Sequence, residues 1–181
     1  MRYLPLIVIY SLFLSSCREV TFPQAQPVGV TALREVPQQL QGVYQAIEQA
    51  TGEFADTLIV ESWGYKAKDK KEKDWLTRGV LSDTLVLKFY ENYYFLNIKT
   101  EGQWVLRLII REPSGTLQFL SIDLGDENKR KATLKKLSKK VTVKKIEKKG
   151  DTYYQINPTP AQLMILIKEG YFTGGKLIKI K

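Results

Sequence analysis

The sequence predicts a mainly β protein: an antiparallel meander of about eight strands in a partly or fully closed barrel, with one buried C-terminal helix and a second, basic helix. Three observations lead there. Four runs of β-branched and aromatic residues between Leu81 and Leu124 are separated by short turns, Thr159 to Gly170 carries both helix end signals, and lysines crowd a narrow apolar stripe through Leu134 and Leu137.

The first strands are read at Gly42 to Glu48 and Thr57 to Trp63. Asp56-Thr57-Leu58-Ile59-Val60 echoes Asp83-Thr84-Leu85-Val86-Leu87, but Asp-Thr before a β run is ordinary chemistry for the start of a strand. Lys66 to Asp74, KAKDKKEKD, mixes charge signs between two strands and reads as a loop. In the meander, Leu85, Leu87 and Phe89 alternate with Thr84, Val86 and Lys88, and Glu91-Asn92 turns the chain. Tyr93 to Lys99 follows and closes at Thr100-Glu101-Gly102. Next, Trp104, Leu106, Leu108 and Ile110 share one face while Arg107 and Arg111 punctuate the other, which predicts one buried and one wetter face. Glu112-Pro113-Ser114-Gly115 leads into Leu117 to Leu124. Such short connections make the four strands antiparallel neighbours.

A basic helix is expected from Glu127 to about Lys140, with Leu134, Leu137 and Val141 at three- and four-residue spacing. The C-terminal helix has Thr159 as N-cap, Pro160 at its first position, Gln162 to complete a capping box, and Gly170 as its stop. Being apolar nearly all round, it should be largely buried. Tyr171 to Lys181, broken by Gly174-Gly175, gives a short hairpin or a final strand.

The N-terminus carries a different message. Residues 1–16 hold one charge, Arg2, then an apolar run from Leu4 to Leu14, too short for a spanning helix and built like a secretory signal. A buried core cysteine or an uncleaved anchor are the alternatives, and both fail because nothing globular precedes the run. Leu14-Ser15-Ser16-Cys17 resembles the lipobox of bacterial lipoproteins. That resemblance implies cleavage before Cys17, diacylglycerol on its sulfur, and a further acyl chain such as palmitate on the new amino group. Two or more chains suffice for stable anchoring. It also implies a cell-envelope address, with the outer membrane favoured because Arg18, and not an Asp that would retain the protein in the inner membrane, follows the cysteine. Residues 17–37, with Pro23, Pro27 and Pro37 among polar residues, read as a flexible tether, and 38–181 as a single β domain.

Composition excludes several chemistries. Cys17 is the only cysteine, so no internal disulfide can form, and the chain has no histidine, the commonest general base and zinc ligand. Carboxylate pairs remain thinkable among Asp56, Glu61, Asp83, Glu91, Asp123 and Asp126, yet most sit where acids are expected at strand starts or before a helix. A metal cluster, a phosphate-cradling glycine loop and a serine elbow are all missing from the sequence. The expectation is therefore a non-enzymatic protein without cofactor or metal.

Two features bear on binding. Trp63, Tyr90, Tyr93, Tyr94 and Trp104 lie in the first half of the sheet, and stacked aromatics at a barrel mouth can hold apolar or sugar ligands. Core packing is the competing explanation. Between Lys129 and Lys149 eleven Lys or Arg face one acid, Glu147. The net charge is +9, or +8 without Arg2, so the basicity is local. This segment, with Lys129, Arg130, Lys135, Lys136, Lys139 and Lys140, is either a solvated face or a surface for anionic lipid headgroups or lipopolysaccharide. Nucleic acid is a weaker fit, because interleaved aromatics for base stacking are lacking.

Gly42-Val43-Tyr44 on the first strand, a run of antiparallel strands, then a helix and a last short strand resemble lipocalin-like barrels in outline. Lipocalins carry Trp where Tyr44 stands, so no ligand residues transfer. The resemblance implies a central cavity for a small apolar molecule. The functional expectation is an envelope lipoprotein that binds such a molecule, a glycan or an envelope surface; the alternative is an assembly partner of other envelope proteins in an outer-membrane complex.

Overall fold

The structure, a computed structural model, describes residues 18–47, 54–68, 77–148 and 150–181. These form β1 (Arg18–Phe22), β2 (Gly42–Ile47), β3 (Phe54–Glu61), β4 (Gly64–Ala67), β5 (Arg78–Val80), β6 (Leu85–Tyr90), β7 (Tyr93–Thr100), β8 (Gln103–Arg111) and β9 (Leu117–Ser121), then α1 (Glu127–Leu137), β10 (Val143–Lys148), β11 (Asp151–Ile156), α2 (Pro160–Lys168) and β12 (Thr173–Lys179). A single 3-10 turn, Gln38–Leu40, precedes β2. The expected signal segment, Cys17, Glu48 and most of the charged loop after Lys66 lie outside the described residues.

The meander is present as read: β6, β7, β8 and β9 pair consecutively and antiparallel. Its first two turns are two-residue hairpins with positive φ at both central positions, Glu91 and Asn92 at 45° and 68°, Glu101 and Gly102 at 49° and 81°. That geometry matches the right-handed twist of the strands on either side. The meander continues as one antiparallel run in the order β6-β7-β8-β9-β12-β2-β3-β4-β5. It curls until β4 and β6 line the same space, but no ladder joins β5 to β6 among the described residues, so the sheet stays open there. Tyr171–Lys181 resolves as a final strand rather than a hairpin. Gly174 permits it to seat, since a Cβ there would stand 2.2 Å from the Phe119 carbonyl oxygen.

Residues 18 to 37, expected as a tether, are instead part of the fold. β1 pairs in parallel with β11 (Arg18↔Thr152 to Thr21↔Gln155) and antiparallel with the start of β8 (Phe22↔Trp104). Val20, Thr21 and Phe22 are buried on it, as are Gln26 and Val36 farther along. The β1–β11 pair is the departure from a wholly antiparallel sheet, and β10 completes this branch by pairing with β11. Prolines 23 and 27 mark bends over the outer surface of β6 and β7, where Lys88 Nζ donates to the Ala25 and Pro27 carbonyls at 2.8 and 2.9 Å.

β8 is buried on both faces: the face expected to be wet looks into the curled sheet, where Ile109 lines the enclosed space and Val105 is buried. Leu106 and Leu108 pack with Val20, Phe22 and both helices in one core, while Val105 and Ile109 point into a second. Trp104 and Ile110 lean on the first core as the alternation requires. On the second face Arg107 is half-buried and pairs with Glu19 at 2.5 Å, and Arg111 lies exposed at the strand end. Strands buried on both faces are near-continuous hydrophobic runs, as Tyr94-Phe95-Leu96 in β7 is.

Both helices sit against the first core. α2 has the full capping box: Thr159 Oγ1 accepts from Gln162 N–H, and Gln162 Oε1 accepts from Thr159 N–H. Leu163, Met164, Leu166 and Ile167 are buried, but Ile165 is 44% exposed, so the burial is one broad face and not the whole circumference. α1 starts on Asp126, whose carboxylate accepts from the N–H groups of Asn128 and Lys129. It ends at Leu137, and residues 138–140 form a turn that places Val141 back into the core.

Candidate functional site

Inside the curled sheet lies a cavity of about 320 Å³, at the lower end of the roughly 300–1,000 Å³ usual for small-molecule sites. Period-two alternation turns the pairs Leu58/Val60, Tyr65/Ala67, Leu85/Leu87 and Leu117/Phe119 inward. Leu96, Ile109 and Leu177 contribute from β7, β8 and β12. Space remains because Ala46 and Ala67 stand where larger residues would close it. Among the described residues no charged side chain lines it, and Thr57 and Tyr65 are the only lining residues with polar side chains. A water molecule needs two to four polar partners to be held in such a place, and these walls offer few.

One end is closed by the segment read as the last part of the tether. Val36 and Leu40 cap the cavity, and four hydrogen bonds fix them: Val36 N–H to the Ser62 carbonyl (2.8 Å), Gln41 Nε2 to the Val36 carbonyl (2.8 Å), Tyr44 Oη–H to the Leu40 carbonyl (2.9 Å), and Arg111 Nε to the Gln39 carbonyl (3.1 Å). Gln39 Nε2 also bonds Tyr94 Oη. Tyr44 is wholly buried, and burial pushes its phenol above the ordinary tyrosine value, with the Arg111 charge pulling the other way. This cap thus combines two short-range bonds, from Gln41 and Tyr44, with longer-range ones from β7, the β3–β4 turn and the charged Arg111 guanidinium.

The five aromatic residues singled out for ligand binding are not brought together. Tyr94 is buried beneath the cap, its ring tilted at 41° to that of Phe89 with centres 4.7 Å apart. Tyr90, Tyr93 and Trp104 pack against the other core, across the sheet from the cavity. Trp63 stands at the β3–β4 turn under two cations, Lys66 Nζ at 5.9 Å and the Arg78 guanidinium at 5.1 Å. The reason is geometric: Tyr93 and Tyr94 are consecutive in a strand and must face opposite ways. The cavity itself is built from Leu, Val, Ala and Phe on eight strands, residues that no local motif distinguishes.

The basic segment is likewise redistributed. Arg130 does not belong to an accessible surface: it is 8% exposed, with its guanidinium 2.9 Å from Glu127. Lys129 pairs with Asp126 (3.4 Å) and Lys140 with Glu169 (2.6 Å). Lys135, Lys136 and Lys139 are exposed, and so is Lys131; none of the four has an ion-pair partner among the described residues. Lys144, Lys145 and Lys148 extend the charge onto β10, with Lys145 paired to Glu147 at 2.5 Å.

Of the carboxylates, Asp126 is the α1 cap, Asp123 accepts from Gly125 N–H, and Glu61 pairs with Lys66 at 3.5 Å. Asp83 and Glu91 are exposed at turns. The Asp56 side chain lies outside the described residues. Among those residues no three His, Cys, Asp or Glu are grouped to hold a metal ion, and no helix is long and apolar enough to cross a membrane. Comparison with known protein families, curated proteins and solved structures finds no match.

Proposed function

We propose that this chain is a lipid-anchored envelope protein, tethered through Cys17, whose β domain binds the hydrocarbon part of a small molecule without chemically altering it. The single observation that carries the binding reading is the uncharged, almost wholly apolar cavity of about 320 Å³. Each methylene moved from water into such walls contributes about 0.8 kcal/mol. An apolar ligand is favoured over a glycan, because a sugar's hydroxyl groups would find only Thr57 and Tyr65 to bond. The anchoring reading rests on Leu14-Ser15-Ser16-Cys17. An outer-membrane address follows from Arg18 under the same resemblance.

Native mass spectrometry of the protein extracted from envelopes in mild detergent tests the binding reading. The expected result is a co-purifying apolar molecule that is lost on denaturation. A mass matching the bare chain, together with failure of added medium- and long-chain fatty acids to bind, would overturn it. Anchoring is tested separately: Cys17→Ala should leave the membrane fraction for the soluble one, and unchanged fractionation would rule out lipidation.

A further inference from the structure

Leu134 on α1, Val143 on β10 and Tyr154 on β11 form the floor of an open groove whose walls carry Lys135, Ser138 and Lys145. Lys131 lies one turn before Lys135 on the same stripe of α1, and Lys139 lies in the turn that follows the helix. All three are exposed and have no carboxylate partner among the described residues. The acids nearby are already engaged: Glu147 with Lys145, Asp126 with Lys129, Glu127 with Arg130, and Glu169 with Lys140. The result is an apolar strip edged by uncompensated positive charge, on the opposite side of β7 and β8 from the cavity.

We infer that this α1–β10 face docks on a bilayer surface rich in anionic headgroups. Three features select that occupant. The charges are lysines, strongly hydrated points on flexible stems, with no exposed guanidinium fork for bidentate recognition of one shaped ligand. The half-buried floor suits shallow contact at the boundary between headgroups and acyl chains. The third feature rests on the anchoring reading. β1 begins at Arg18, the residue after Cys17, and Arg18 is in register with Thr152, which in turn faces Glu147 on β10. Two strand spacings of about 4.8 Å put β10 about 10 Å from the first residue of the domain. With no spacer between the lipidated position and the sheet, that distance is comparable with the Debye length, about 8 Å at physiological salt and about 10 Å at 0.1 M, so the charge on β10 is not fully screened from the bilayer.

The test uses the chain from Arg18 onward, which contains every strand and helix described and carries no lipid, so that binding cannot come from the anchor. Its affinity for vesicles of phosphatidylcholine alone is compared with vesicles containing one third phosphatidylglycerol, at low and at high salt. Each lysine near an anionic surface is worth about fivefold. Lys131→Gln, Lys135→Gln and Lys139→Gln together should therefore weaken binding to the anionic vesicles on the order of a hundredfold. Arg34→Gln, Lys68→Gln and Lys181→Gln, exposed residues elsewhere with the same change of net charge, should leave it within a few-fold. A dye sensitive to polarity on Ser138→Cys, the sole thiol of that chain, should shift to the blue on anionic vesicles and not on neutral ones. Equal loss in both triple variants, equal binding to neutral vesicles, or an unshifted dye beside tight retention on polyglutamate would overturn the inference. Neither the variants nor the dye touches the cavity, so failure here leaves the ligand-binding reading standing.

Discussion

The side chain of Asn97 on β7 pairs with the backbone of Gln26 as a neighbouring strand would: Gln26 N–H donates to Asn97 Oδ1 at 2.6 Å and Asn97 Nδ2 donates to the Gln26 carbonyl at 2.8 Å. Both residues are fully buried and 71 positions apart. One amide thus pins the N-terminal segment to the outer face of the curled sheet. Replacing it with Leu keeps the volume but leaves two buried backbone groups unpaired, each costing about 1–3 kcal/mol. Asn97→Leu should lose about 2–5 kcal/mol, read from the shift of the urea midpoint at constant slope. A loss below about 1 kcal/mol would mean that residues 24–30 find other partners or leave the surface.

Lys88 anchors the same segment at a different cost. Its ammonium is taken from water, and burial lowers its pKa from the ordinary lysine value, while the Ala25 and Pro27 carbonyls accept its protons. Lys88→Met should destabilise the fold by about 1–3 kcal/mol, because the two carbonyls lose their donor. The pH dependence has a definite sign. The unfolded chain binds the Lys88 proton more tightly than the folded one, so native stability rises as pH climbs from the lowered value toward about 10.4. The gap between the native chain and Lys88→Met should widen over that window in parallel denaturation series; a gap that narrows would contradict a desolvated ammonium.

Local signals were legible in the sequence and distant pairings were not. The Thr159/Gln162 capping box, the Glu91-Asn92 turn and the Asp126 helix start are complete within four residues, so the chain spells them out. β1 is five residues between a cysteine and a proline, and its partners lie near positions 104 and 152. Nothing in REVTF announces them, and Pro23 and Pro27 argue for a tether. Burial of the second face of β8 depends on the curling of the sheet, which brings residues as distant as Ala46, Leu58 and Tyr65 around the space that Ile109 lines. Arg107 between Val105 and Ile109 reads locally as the mark of a wet face. Arg130 differs from the expectation for a related reason: its charge suits the basic run, but its position on α1 is buried, with Glu127 three residues before it as partner. The cavity could not be foreseen residue by residue, because it is what Ala46 and Ala67 fail to fill.

The two helices should respond differently to acid. Backbone N–H groups of Lys129 and Asn128 hold the Asp126 carboxyl below the usual aspartate range. A folded-state value below the unfolded one means stabilisation that is present above about pH 4 and lost as pH falls through the lowered value. Amide exchange at the start of α1 should accelerate in that acidic window, and Asp126→Asn, which keeps a capping oxygen, should abolish the pH dependence. α2 is capped by the hydroxyl of Thr159 and the amide of Gln162, neither of which titrates, so its first turn should keep its protection. Equal acid sensitivity of both helices would point to global unfolding instead of loss of one cap.

The two cores should answer oppositely to changes of side-chain size. Leu108 is 0% exposed in the solid core between sheet and helices, where Leu→Ala removes contacts and leaves a hole. Leu108→Ala is expected to cost about 2–5 kcal/mol. Ala67 faces the cavity, where added carbons meet empty space, so Ala67→Leu should shift stability by less than about 1.5 kcal/mol in either direction. Ala67→Phe would fill more of the same space, and the fatty-acid binding expected of the native chain should fall at least tenfold while the thermal midpoint holds within a few degrees. The pairing of those two readouts matters. Lost binding with a preserved midpoint places the ligand in the cavity, whereas preserved binding would put it on another surface and leave the apolar interior without its proposed role.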